Sequence, residues 1–196
     1  MQTNKKNESQ TLKATDILQW EFEYARTTAS EAMRDRHTMI NYYLLAVGIV
    51  ASGVIAILKN DSDLQASAGT ALLWGLCIVG WFYFLKIIRL RQAWYDSAQA
   101  MNQIKEVYVD NSQGEDKQIL KAALRWREAT LPHSHKRWTV FHYSAMLIAF
   151  LNTVASSVGY VLIKMPSSPK QWECLVSFAV FFFIAHDLLY VFFLKK

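Results

Sequence analysis

The sequence predicts an all-α membrane protein: four transmembrane helices with cytoplasmic helical extensions that form a stalk. Four stretches stay apolar for about 20 residues, which is the length needed to cross a bilayer. Residues next to the first two stretches repeat apolar side chains at helical spacing. Composition agrees, because AVILMFWYC residues make up 53% of the 196-residue chain and charged residues only 19%.

The four apolar stretches are predicted to span the membrane because buried core helices of soluble proteins are usually shorter. They are Met39–Leu58, Ala66–Leu85, Val140–Ile163 and Trp172–Leu194. The first two contain no charged residue. The preceding residues are polar and mixed in charge, so we expect the first stretch to be a mature membrane helix and not a cleaved signal peptide.

The distribution of basic residues predicts the orientation. Of the 21 lysine and arginine residues, only Lys59, Lys164 and Lys170 lie in the two short loops within the hairpins. By the positive-inside rule, both termini and the central segment should face the cytoplasm, with the chain in the inner or plasma membrane. This topology accounts for most of the net charge of +5, so we expect the lipid bilayer and not nucleic acid as a partner.

The predicted organisation has four segments along the chain. They are a flexible tail over residues 1–14, an amphipathic helix and first hairpin over 15–110, a cytoplasmic loop and helix over 111–138, and a second hairpin over 139–196. No proline or glycine interrupts residues 16–47, so the first helix should be continuous from Asp16 to Leu58. The chain should break at Asp110–Gly114, and a third cytoplasmic helix is expected over Lys117–Leu131.

Apolar residues at steps of three and four form a seam on each extension. Such a seam is typical of helices that pack along their length. Because the two extensions share a hairpin, they should run antiparallel and pack on each other. The seam residues are Leu18, Phe22, Ala25 and Ala29 before the first span, and Trp94, Met101, Ile104 and Tyr108 after the second.

Three polar residues within the spans are candidates for pore lining. Asp187 lies about 10 Å from the end of the fourth span, and an acid inside a membrane is costly. It either lines an ion path, with His186 beside it, or pairs inside the bundle with Lys86, His142 or a tyrosine. Asn152 either bonds across a helix interface or lines a pore.

Small residues form two rows at intervals of four residues. The rows are Gly48, Ser52 and Ala56 on the first span, and Ala145, Ala149, Thr153 and Ser157 on the third. Small side chains let membrane helices approach closely. The rows serve packing either within one protomer or between protomers, which would make the protein a homo-oligomer.

No motif for catalysis or cofactor binding is present. The sequence contains no GxSxG, Walker, HExxH or dinucleotide-binding pattern, and its two cysteines cannot form a multi-cysteine metal site. We therefore expect no catalytic residues, no metal, no cofactor and no enzymatic activity.

The segments Trp20–Leu58 and Leu72–Tyr108 place a charged amphipathic helix, a transmembrane hairpin and a returning helix in sequence. This plan resembles the SLATT-type effectors of bacterial anti-phage defence, although the second hairpin after Pro132 departs from it. The resemblance implies an effector that oligomerises and compromises the membrane when triggered.

Three functions follow as hypotheses. The first is a homo-oligomeric pore or membrane-disrupting effector, with cytoplasmic helices that receive a trigger. The second is a non-catalytic scaffold or accessory subunit, which binds a cytoplasmic protein partner through its stalk. The third is a small transporter, which the absence of proline from the spans disfavours.

Overall fold

A computed structural model describes residues 14–58, 63–124, 133, 134 and 136–195. These residues form five helices and no strand. The helices are α1 (Ala14–Ile57), α2 (Asp63–Asn111), α3 (Gly114–Ala123), α4 (Val140–Ile163) and α5 (Pro169–Leu194). The predicted all-helical fold is thus confirmed for the described part of the chain.

Four of these helices, α1, α2, α4 and α5, are long and apolar enough to cross a membrane. They coincide with the four predicted spans, so a multi-pass membrane protein is the architecture that the structure supports. The predicted tail lies outside the described residues except for Ala14. The third cytoplasmic helix, predicted over Lys117–Leu131, instead begins at Gly114 and ends at Ala123, and residues 125–131 lie outside the described residues.

The two longest helices carry both an apolar stretch and its extension. α1 has 44 residues and α2 has 49, and each is continuous. α2 ends at Asn111, within the predicted break. There the Ser112 hydroxyl donates a hydrogen bond of 2.7 Å to the Val109 carbonyl, and Gly114 turns the chain into α3 with φ of 59°. This left-handed conformation is the one that glycine adopts without a steric cost.

Residues that favour helix N-termini lie at the starts of α4 and α5. Thr139 precedes α4, and its hydroxyl accepts a hydrogen bond of 3.2 Å from the backbone N–H of His142, as helix N-caps do. α5 begins at Pro169, where a missing N–H costs nothing because the first turn leaves its N–H groups unpaired.

The described residues fall into two compact units. The extension unit contains residues 14–29 and 96–124, and the bundle unit contains residues 30–58, 63–95, 133, 134 and 136–195. α1 and α2 each contribute to both units, whereas α3 belongs to the extension unit, and α4 and α5 belong to the bundle unit.

The bundle unit has a core to which all four of its helices contribute. Its fully buried side chains include Tyr43, Phe84, Ile148 and Tyr190, one from each helix. Burial of such large side chains is the main force that holds helices together in water, and their close packing does so in lipid. On the outside of α5, phenylalanines such as Phe181 are exposed, as expected of a helix that faces lipid.

Candidate functional site

Asp187, the acid predicted to lie inside a span, is paired within the bundle unit. Its Oδ1 lies 2.9 Å from Nε2 of His142, and its Oδ2 lies 3.0 Å from a terminal nitrogen of Arg137. The Asp187 side chain is 25% exposed. The group is therefore a cluster of one carboxylate with an imidazole and a guanidinium, which satisfies the charge of the acid.

His142 was among the partners expected for Asp187, but Arg137 was not. Arg137 precedes α4, in the short irregular segment that follows the described residue His133. Sequence spacing does not give the side-chain direction of such a segment. The positive charges of residues 136 and 137 were the only feature of the sequence that indicated this partner for Asp187.

His186, the neighbour of Asp187, points into an aromatic environment and is fully buried. Its ring stacks on Trp81, with centroids 4.2 Å apart, and meets the edges of Phe84 and Phe182. Its Nδ1 bonds to the carbonyl of Phe182 at 2.8 Å, and its Nε2 has no hydrogen-bond partner among the described residues. His186 and Asp187 thus have separate partners.

Asn152 is fully buried where α1, α2 and α4 meet. The Tyr43 hydroxyl donates a hydrogen bond of 2.7 Å to Oδ1 of Asn152, and the thiol of Cys77 donates to its backbone carbonyl at 3.4 Å. A Cβ added at Gly80 would lie 1.9 Å from that Oδ1, so α2 passes directly over the amide. This is the geometry of an interhelical hydrogen bond.

The two rows of small residues have different surroundings. On α4, Ala145, Ala149 and Thr153 are buried, and Ser157 is half-buried. On α1, the row of Gly48, Ser52 and Ala56 is exposed, and a Cβ added at Gly48 meets no atom within 4 Å. The α4 row therefore packs within the protomer, and the α1 row is left open along the outside of the bundle unit.

The extension unit has an open cavity of about 330 Å³ between its three helices. Its walls are mostly apolar, and they include two of the predicted seam residues on α2. The lining residues are Gln19, Phe22, Ile104, Lys105, Tyr108, Leu120 and Leu124. A cavity of this size fits a small ligand or a few inserted side chains.

The other seam residues lie at varied depth. In the extension unit Ala25 and Ala29 are buried, Leu18 and Met101 are half-buried, and Tyr108 is exposed although it reaches the cavity. Trp94 belongs to the bundle unit, where it is half-buried. An exposed apolar stripe of Ile17, Trp20 and Tyr24, which was not predicted, lies beside the α1 seam.

Two arginines are buried in the bundle unit, and neither was a predicted site residue. Arg36 and Arg91 are each 2% exposed. Their guanidinium carbons lie 5.3 Å and 5.7 Å from the centre of the same ring, that of Phe141. Burial lowers the pKa of both guanidiniums from the ordinary arginine value, because removing a charge from water is costly.

Within the described residues, no group of three or more His, Cys, Asp or Glu side chains converges to hold a metal ion. Comparisons of the chain with protein-family models, with curated proteins and with solved structures find no match.

Proposed function

We propose that the chain is a homo-oligomeric membrane pore or membrane-disrupting effector, whose extension unit lies in the cytoplasm and receives the trigger. The observation that carries this proposal is the open row of Gly48, Ser52 and Ala56 on α1. In membranes, such rows let helices approach closely, and a row that no helix of the same protomer covers is open to a helix of a neighbouring chain. Within the apolar window of α1 only 11% of residues are buried, against 33% in α2 and in α4.

The continuity of α1 and α2 supports a link between trigger and membrane. Each helix carries residues of both units with no break among the described residues. Ligand or partner binding in the cavity of the extension unit would change how α1, α2 and α3 pack there. Because α1 and α2 also belong to the bundle unit, such a change acts on helices that continue into it.

Resemblance supports the biological setting of the proposal. The plan of an amphipathic helix that enters a transmembrane hairpin is similar to that of SLATT-type effectors, so we place the chain in bacterial anti-phage defence. The positive-inside rule supports the inner membrane with both termini in the cytoplasm.

A second candidate is a non-catalytic scaffold or accessory subunit that binds its partner through the extension unit. The observation that favours it is the burial of Asn152 and His186 inside a single protomer. Both side chains serve packing in one bundle unit, so an aqueous path would have to use other groups. This candidate predicts no leak when the protein is present alone.

The first experiment is the native mass of the protein in lipid nanodiscs, followed by release of dye from liposomes. The pore proposal expects a defined assembly of several chains that releases dye. Gly48→Leu should reduce both assembly and release while the protomer stays folded, because the added side chain has space within the protomer.

The matched control is Ala71→Leu, which enlarges an exposed small residue on α2. A wild-type protein that stays monomeric at high protein-to-lipid ratio would refute the homo-oligomeric pore and favour the accessory subunit, whereas an assembly that releases no dye would show that opening requires the trigger. The next measurement would then be capture of a partner by the extension unit. Equal loss of assembly in the two variants would refute the role of the α1 row.

A further inference from the structure

Two buried cations at one end of the bundle unit lack the partners that buried charges need. We propose that Arg36 and Arg91 bind a phosphate group there. Phe141, the ring that both guanidiniums face, lies in the first turn of α4. Nε of Arg91 donates a hydrogen bond of 3.3 Å to the carbonyl of Ser134, whose hydroxyl donates to the last residue of α5, Leu194. This assignment does not depend on whether the chain forms a pore.

The unpaired nitrogens of the two arginines are the main evidence. Nε and Nη1 of Arg36 and Nη2 of Arg91 are buried without a hydrogen-bond partner among the described residues. Among the residues that the structure describes, neither arginine forms an ion pair with a carboxylate. Burying a charge without a partner costs far more than burying a paired one. An anion that accepts from these nitrogens would remove that cost.

The contacts with Phe141 place both guanidiniums against one aromatic ring. A guanidinium over the face of an aromatic ring is attracted by the electrons of the ring. Arg91 also lies 4.7 Å from the ring centre of Trp94, which holds it from a second side. The aromatic rings position the cations, but they cannot accept from the N–H groups that lie in the guanidinium plane.

The position of the site near the apolar segments favours phosphate over other anions. The N–H groups of a guanidinium donate charge-assisted hydrogen bonds to phosphate oxygens, and two guanidiniums balance the charge of a phosphate dianion. Arg36 lies three residues before the first apolar stretch, and Arg91 lies six residues after the second. At 1.5 Å per residue, both lie within about 10 Å of the apolar segments, where lipid phosphates are found.

One contact of Arg36 is with a residue at the surface. The remaining terminal nitrogen of Arg36 lies 2.6 Å from Nε2 of His37, and His37 is exposed. Rotation of the His37 ring away from Arg36 would let a phosphate oxygen take its place. Both a phospholipid headgroup and a soluble phosphate present phosphate oxygens that can accept these hydrogen bonds.

The test measures thermal unfolding of the full chain in a detergent that contains no phosphate. One arm adds sodium phosphate, with sodium chloride at equal ionic strength as the blank. A second arm adds phosphatidylglycerol to the micelles, with native mass spectrometry to count retained lipid. We expect at least one arm to raise the unfolding midpoint by several degrees. Phosphatidylglycerol alone would identify a lipid site, and sodium phosphate alone or both arms would identify a site open to soluble phosphate.

In the variant Arg36→Gln/Arg91→Gln, the ligand should no longer raise the unfolding midpoint, and lipid retention should fall at least tenfold. The control Arg34→Gln/Arg89→Gln removes two exposed arginines from the same helices and should keep the shift. If the first double variant does not fold, Arg36→Lys keeps the charge but loses the planar donors, and should weaken the shift. No shift in either arm, or an equal loss of shift in the control, would overturn the proposal.

Discussion

The hydroxyl of Tyr43 on α1 donates a hydrogen bond of 2.7 Å to Oδ1 of Asn152 on α4, across 109 residues of sequence. Both side chains are fully buried, so neither has water as an alternative partner. The bond therefore joins the first apolar stretch to the third inside one protomer.

Tyr43→Phe should destabilise the bundle unit by about 1–2 kcal/mol, because Asn152 loses its donor while the shape of the ring is kept. Tyr42→Phe removes a hydroxyl from the neighbouring residue, which is exposed, and should have little effect. Chemical or thermal unfolding in detergent measures both. Equal unfolding midpoints for the two variants would show that the bond contributes nothing.

Gly80→Ala should destabilise the protein by about 1–3 kcal/mol, because its Cβ would lie 1.9 Å from Oδ1 of Asn152. Gly75→Ala is the matched control on the same helix, since its Cβ meets no atom within 4 Å. In an Asn152→Ala background, Gly80→Ala should cost much less. If Gly80→Ala destabilises the Asn152→Ala protein as much as it destabilises the wild type, then the added Cβ clashes with a group other than Asn152.

Asp187→Leu should lower the stability of the bundle unit by about 1–3 kcal/mol, because His142 and Arg137 lose their shared carboxylate. Glu173→Leu removes an exposed acid from the same helix and should change stability little. Under the pore proposal, Asp187→Leu should also change dye release at equal membrane content. Unchanged release would assign Asp187 to structure alone.

Phe22→Asp should abolish the response to a trigger or the capture of a partner, because it puts a charge into the apolar cavity of the extension unit. Insertion into the membrane should be unaffected, since the apolar stretch of α1 is unchanged. Thr27→Asp adds the same charge to an exposed position on α1 and serves as the control. A Phe22→Asp protein that still responds would exclude this cavity as the receiving site.

The four long helices could be predicted from the sequence because length and composition decide whether a helix can cross a bilayer. The continuity of α1 and α2 followed from the absence of proline and glycine in residues 16–47 and from Leu85 to Tyr108. The break near Gly114 followed from local turn residues. All of these signals act over a few turns of chain, so no long-range contact is needed to interpret them.

Side-chain contacts between different helices could not be predicted in the same way. The sequence left open whether Asp187 pairs inside the bundle, and the structure places His142 and Arg137 against it. It also left open which small-residue row is covered. The rotation of one helix against another decides this, and that rotation depends on the fit of many side chains at once.

The sequence by itself determined the number of apolar helices, their lengths and the positions of their ends, because these depend on local propensity and on the transfer of apolar residues from water to lipid. Only the tertiary structure decided that Asn152 meets Tyr43, that the α1 row stays open and that Arg36 and Arg91 share Phe141. Those relationships join residues far apart in the chain, and only the packing of complete helices brings them within contact distance.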